Sequence, residues 1–128
     1  MKFLKKLTTL LVVETIEPAL ESYEALGYSV EVRVPESGTL GFVILRGPAP
    51  QAAELMLQTR ASLAEDLPNL AKKKPSFLLY ADVDSLAKAR RALSGAKPLV
   101  EERTTFYGAT ESWVELPEGT ILGLAEHR

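Results

Sequence analysis

One order of elements occurs twice in this chain, and that duplication limits its possible folds more than any other feature. Leu7–Val13 is apolar and β-branched and reads as a buried strand. Glu14-Thr15-Ile16-Glu17-Pro18 follows as a helix start, with acidic residues at the positive end of the helix and Pro where a missing N–H costs little. Ile16, Leu20, Tyr23 and Leu26 form one helical stripe, and Gly27 is the expected stop. Strands are expected at 28–34, 40–45 and 53–58, separated by Pro- and Gly-rich breaks. The pattern then restarts. A strand at 76–81 leads to Asp82-Val83-Asp84-Ser85, which supplies capping oxygens for a short helix from Leu86 to Leu93, ended by Gly95. Strands are expected again at 98–103, 109–116 and 120–125. Gly27 falls on Gly95, Gly41 on Gly108, and Leu55-Met56-Leu57 on Leu122-Gly123-Leu124 at an offset of 67 to 68 residues.

The expected fold is therefore α+β: paired βαβββ modules forming a curved mixed sheet around a ligand trough. The whole chain, 1–128, reads as a single domain, with module one at 1–60, a linker at 61–75 and module two at 76–128. The joining stretch reads as a linker with one helical turn, and its Lys72-Lys73-Lys74 run as a solvated loop. A module of about 60 residues with one helix leaves a sheet face bare, so two such modules are expected to share a hollow. Side chains alternate across a strand. That alternation assigns Leu55, Leu57, Val114, Leu116, Leu122 and Leu124 to the helix side. It leaves Glu54, Met56, Gln58, Glu111, Trp113 and Gly123 for the hollow, with Ser76, Leu78 and Tyr80 sharing one face of their strand.

Composition removes several chemistries. Fifteen Lys and Arg against seventeen Asp and Glu give a net charge of −2, which does not suit a nucleic-acid binder. With no cysteine there is no disulfide framework, thiolate metal site or cysteine nucleophile. The single histidine, His127, is expected beyond the last strand as a solvated terminal residue. The apolar run after Lys5-Lys6 ends at Glu14 without a cleavage signal and reads as a strand rather than a secretory leader. No apolar stretch approaches the roughly 20 residues of a membrane span. A cytoplasmic protein with no nucleic-acid or membrane partner is the expectation.

The ordered landmarks resemble one family. Val13-Glu14-Thr15-Ile16-Glu17-Pro18-Ala19-Leu20-Glu21-Ser22-Tyr23 with Leu26-Gly27-Tyr28 is similar to the opening of vicinal oxygen chelate proteins, the superfamily of glyoxalase I, bleomycin resistance proteins and extradiol dioxygenases. Glu54–Gln58, Ala81–Asp84, Tyr107–Glu111 and Leu116–Thr120 match its later landmarks in order. The resemblance implies paired modules and commonly a homodimer with pockets between modules. It also implies that metal-holding members take four ligands from the first and fourth strand of each module. The matching positions here are Thr8, Met56, Ser76 and Gly123, give or take a residue, and none is a good metal donor. No metal and no cofactor are therefore expected.

What remains in the hollow suits a small apolar or cationic molecule held in a dimer groove without metal, as in the bleomycin-resistance-like members. The candidate ligand-binding residues are Met56, Gln58, Ser76, Tyr80, Tyr107, Glu111 and Trp113. Four of them also have a plainer reading. Trp113 and Tyr80 suit packing, Met56 suits filling a vacated metal site, and Glu111 suits an ion pair with Arg103 or Arg60. The alternative function is a lyase or isomerase of the same superfamily with an atypical metal or with carboxylate acid–base residues. A third reading is a non-catalytic dimer whose trough is closed by its own side chains.

Overall fold

The apolar run near the N-terminus forms strand β1 (Leu4–Val13), and the acidic, Pro-containing segment after it forms helix α1 (Ile16–Ala25). This computed structural model describes residues 3–127. Gly27 adopts a φ of 103°, and the amide of Tyr28 donates back to the carbonyl of Tyr23 (3.0 Å), a Gly-dependent close to the helix. Strands β2 (Ser29–Val34), β3 (Phe42–Arg46) and β4 (Leu55–Thr59) follow. After the joining segment come β5 (Phe77–Val83), α4 (Leu86–Ala92), β6 (Lys97–Thr104), β7 (Ala109–Glu115) and β8 (Ile121–His127). The twofold βαβββ order is present.

The chain forms two compact units: Thr8–Phe77, and the described residues of 1–7 together with 78–128. In the first unit the strand order is β2-β3-β4-β1, with β4 antiparallel to β3 and parallel to β1. Its core joins Ile16 of α1 to Leu40, Val43, Leu45 and Leu57. In the second unit the order is β5-β8-β7-β6, with β8 antiparallel to β7 and parallel to β5. There Leu86 and Ala89 of α4 pack on Ala81, Val83, Val114, Leu122 and Leu124. Alternation thus puts Leu57, Val114, Leu122 and Leu124 against a helix, as the sequence pattern requires. Among the described residues no helix is long and apolar enough to cross a membrane.

Three details differ from the sequence reading. The joining segment is not a linker with one turn. It holds α2 (Arg60–Asp66) and α3 (Pro68–Ala71), with Leu63, Leu67 and Leu70 buried. Their spacing of 4 and 3 residues is a helical stripe interrupted only by Pro68, which opens α3 at its first position. The second helix ends at Ala92, and Gly95 lies beyond its cap without a left-handed φ. The offset between halves is not uniform either. The helices begin at Ile16 and Leu86, 70 apart, whereas Leu57 and Leu124, which occupy equivalent places beside β1 and β5, are 67 apart. Helix α4 has seven residues against ten in α1, which matches the difference.

Thr59 caps α2 by accepting a hydrogen bond from the Ser62 amide (3.1 Å). Thr59→Ala is expected to lower stability by about 1 kcal/mol, measured by urea unfolding.

Candidate functional site

The helix-free face of the second unit sets four polar and aromatic side chains in register. Trp113 of β7, Gly123 of β8 and Tyr80 of β5 make one row, and Glu111, Ala125 and Asp82 make the next. Gly123 exists there for the sake of the tryptophan. A Cβ at this position would lie 2.7 Å from the indole ring of Trp113, so no larger residue fits beneath it. The rings of Tyr80 and Trp113 pack at a tilt of 47°, 5.9 Å between centroids.

Glu111 is the centre of the arrangement, with 0 % of its surface exposed. A carboxylate buried to this extent is tolerated only when its oxygens are fully engaged. Here four donors engage them. Arg103 Nε (3.0 Å) and Trp113 Nε1 (3.2 Å) donate to Oε1, while the hydroxyls of Tyr80 (2.5 Å) and Tyr107 donate to Oε2. Burial, and then the adjacent carboxylate, push both tyrosine hydroxyls well above the ordinary phenol range. Tyr107 is carried on a turn that Thr105 fixes. The Thr105 amide donates to the Ala109 carbonyl (2.8 Å), and Thr105 Oγ1 accepts from the Ala109 amide (3.0 Å). The same turn presents Phe106, 91 % exposed, edge-on to the 46 % exposed Tyr107 at 5.1 Å between centroids.

Of the seven candidate residues, the structure brings Tyr80, Tyr107, Glu111 and Trp113 together. Met56, Gln58 and Ser76 belong to the other unit. Met56 is buried on β4 opposite Leu10, and Gln58 donates to Ser62 Oγ (3.0 Å). Ser76 precedes β5, is exposed, and accepts from the Val12 amide through its carbonyl (2.9 Å). Of the two basic residues considered as partners for Glu111, Arg103 fills that role. Arg60 instead pairs with Glu14 (3.1 Å) and donates to the Pro75 carbonyl (3.0 Å).

The positions matching the metal ligands of the resembling family do not suit a divalent cation. Thr8 donates to Glu54 (3.3 Å), Met56 offers a thioether, Ser76 is exposed just before β5, and the space over Gly123 is filled by indole. Among the described residues no three His, Asp or Glu side chains converge.

The sequence reading missed His127. It is the last described residue of β8, on the same face, with Nε2 3.0 Å from Asp82 Oδ1 and its ring 6.5 Å from that of Tyr107. The signal was available, because the alternation of Gly123 and Ala125 continues to His127.

No protein-family model and no curated protein sequence matches the chain. Solved structures do. A glyoxalase/bleomycin resistance protein/dioxygenase superfamily member from Vibrio splendidus 12B01 is similar at 14 % identity and a TM-score of 0.67, covering 98 % of this chain and 99 % of that one. A protein from Staphylococcus aureus gives 18 % identity and a TM-score of 0.67 over 100 % of both chains. Methylmalonyl-CoA epimerase from Mycobacterium tuberculosis gives 20 % identity and a TM-score of 0.65 over 98 % of this chain and 88 % of that one.

Two outcomes follow from the Glu111 cluster. Arg103→Met strips the buried carboxylate of its counter-charge and is expected to cost about 3–5 kcal/mol by urea unfolding. The tyrosines add a pH dependence. Their native pKa values lie above the free value of about 10, so below that pH both folded and unfolded states hold the protons and their contribution is complete. Above it the unfolded chain ionises first, and stability falls as pH rises. Unfolding curves between about pH 9 and 11 should show this decline, and Tyr80→Phe/Tyr107→Phe should flatten it.

Proposed function

We propose that this chain, which has the fold of the glyoxalase/bleomycin resistance protein/dioxygenase superfamily, is a small-molecule-binding protein that works without a metal. The observation that carries the reading is the exposed Phe106–Tyr107 pair held in place by a buried carboxylate. An exposed Phe normally moves freely and costs entropy to fix on binding. Here the turn is already pinned by Thr105 and by the Tyr107–Glu111 bond, so a planar apolar ligand meets a preorganised surface. The ligand is apolar and aromatic in character. A cationic group gains less, because both oxygens of Glu111 are already occupied by internal donors. The same saturation argues against Glu111 as a free general base, and so against acid–base catalysis at this point.

The reading includes a homodimer. Strand β2 is exposed along its whole length and shows Val30, Val32 and Val34 to solvent. A second copy of the chain would cover such a surface.

The single tryptophan, Trp113, lies against the cluster and reports on it. Titration with a panel of planar aromatic compounds should give saturable changes in its fluorescence. Phe106→Ala and Tyr107→Ala should each weaken the best binder by about tenfold. The protein purified without chelator should carry no stoichiometric divalent metal by elemental analysis. A panel without a saturable binder, or a stoichiometric metal, would sink the proposal.

A further inference from the structure

We propose that the Glu111 cluster is a one-electron redox site: Tyr107 is where the chain gives up an electron to an oxidant outside it, and the Glu111 carboxylate takes the phenol proton. The co-reactant is a one-electron oxidant acting at the protein surface. The inference goes beyond ligand binding and does not depend on it.

Without cysteine, the one-electron donors of the chain are its single tryptophan and four tyrosines. Three of these five side chains donate to one carboxylate: Trp113 to Oε1 (3.2 Å), and Tyr80 (2.5 Å) and Tyr107 to Oε2. A phenol that loses an electron becomes a strong acid. The electron therefore leaves readily only where a base takes the proton in the same event. Glu111 is such a base, already hydrogen-bonded to the hydroxyl, and Arg103 balances its charge at the other oxygen (3.0 Å). The proton moves along an existing hydrogen bond, so a carboxylate saturated by internal donors can still accept it. Tyr28 shows the contrast. Its hydroxyl donates to the Ala53 backbone carbonyl (2.7 Å), which is no base.

Of the three side chains only Tyr107 reaches the surface. Trp113 and Tyr80 are buried, whereas Tyr107 is half-exposed on its turn. The rings of Trp113 and Tyr80 lie 5.9 Å apart, and Tyr80 and Tyr107 meet at one oxygen. An electron vacancy on the indole thus has a short route outward, and at neutral pH it is more stable on a phenol that has lost its proton. The cluster drains oxidation from the interior to the turn. In the step, Tyr107 passes one electron to the oxidant and its hydroxyl proton to Glu111 Oε2, which leaves a neutral phenoxyl radical. Two such rings from separate copies join by a carbon–carbon bond ortho to their oxygens, and the displaced ring hydrogens return to those oxygens. Two oxidant molecules have then gained one electron each, and the two carboxylates release their protons to water. Burial, then the hydrogen bond to Glu111, hold the Tyr107 hydroxyl above the ordinary phenol range, so reagents that need a phenolate are resisted while loss of an electron is assisted.

The whole protein is illuminated at neutral pH with ruthenium tris-bipyridine and a cobalt(III) ammine as electron acceptor, and dityrosine cross-links are mapped by mass spectrometry. Tyr107 should cross-link about tenfold faster than Tyr28. N-acetylimidazole, which acylates the ionised hydroxyl, should give the reverse order, Tyr28 before Tyr107. That reversal separates assisted electron loss from plain exposure. Tyr107→Phe should remove most of the cross-linking and speed the oxidative loss of Trp113 fluorescence, because the drain is gone. Glu111→Gln keeps the shape but cannot take the proton, and should bring Tyr107 down to the rate of Tyr28. The two-reagent comparison and the Tyr107 variant test the site even if the Glu111 variant does not fold. Equal cross-linking of Tyr28 and Tyr107, the same order with both reagents, or a Trp113 loss that Tyr107→Phe leaves unchanged overturns the inference. None of these measurements uses a ligand, so failure here is distinguishable from failure of aromatic binding at Phe106 and Tyr107.

Discussion

A carboxylate with no exposed surface makes strict demands on its neighbours. Glu111 is such a group, and its second unit is organised to meet those demands. Each oxygen needs donors, at least one of them charged, since an unpaired charge in a low-dielectric interior would cost more than the domain's margin of stability. Arg103 comes from β6, Trp113 from the same strand as Glu111, Tyr80 from β5 and Tyr107 from the β6–β7 turn. One side chain therefore ties together three strands and a turn. Removing any donor loosens the positions of the others, because they share the same two oxygens.

The two faces of this unit are consequently stabilised in different ways. On one face, apolar residues of β5, β7 and β8 bury themselves under α4 through non-directional hydrophobic contact. On the other, directional hydrogen bonds and ring packing fix each side chain in one place. The tryptophan over Gly123 shows how closely the second face is fitted, since one added methyl group would enter the ring. A face built this way can present a rigid aromatic edge to solvent, and Phe106 and Tyr107 are that edge.

Much of this was legible in the chain. Alternation within the strands separated Val114, Leu122 and Leu124 from Glu111, Trp113 and Gly123 without reference to any neighbour, because a strand has a period of two whatever it packs against. Four of the five residues of the cluster were among the candidates, and the fifth, Arg103, was considered as an ion-pair partner of Glu111. Which arginine pairs with Glu111 follows from the β6–β7 hairpin, which sets Arg103 directly opposite Glu111. The helices after β4 escaped notice because Pro68 splits a short stripe into two pieces, each too brief to show its period. His127 was set aside because strand ends are weakly marked by local sequence; here β8 is held to its last described residue by pairing with β7.

The sequence by itself determined the duplicated element order and the helix-facing residues. These are properties of local period and residue chemistry. Tertiary structure alone decided that the joining segment folds into two helices on Leu63, Leu67 and Leu70. It alone gave Glu111 four donors. Those outcomes depend on contacts between segments distant in sequence, and strand register is set by packing across the whole sheet rather than by any segment within it.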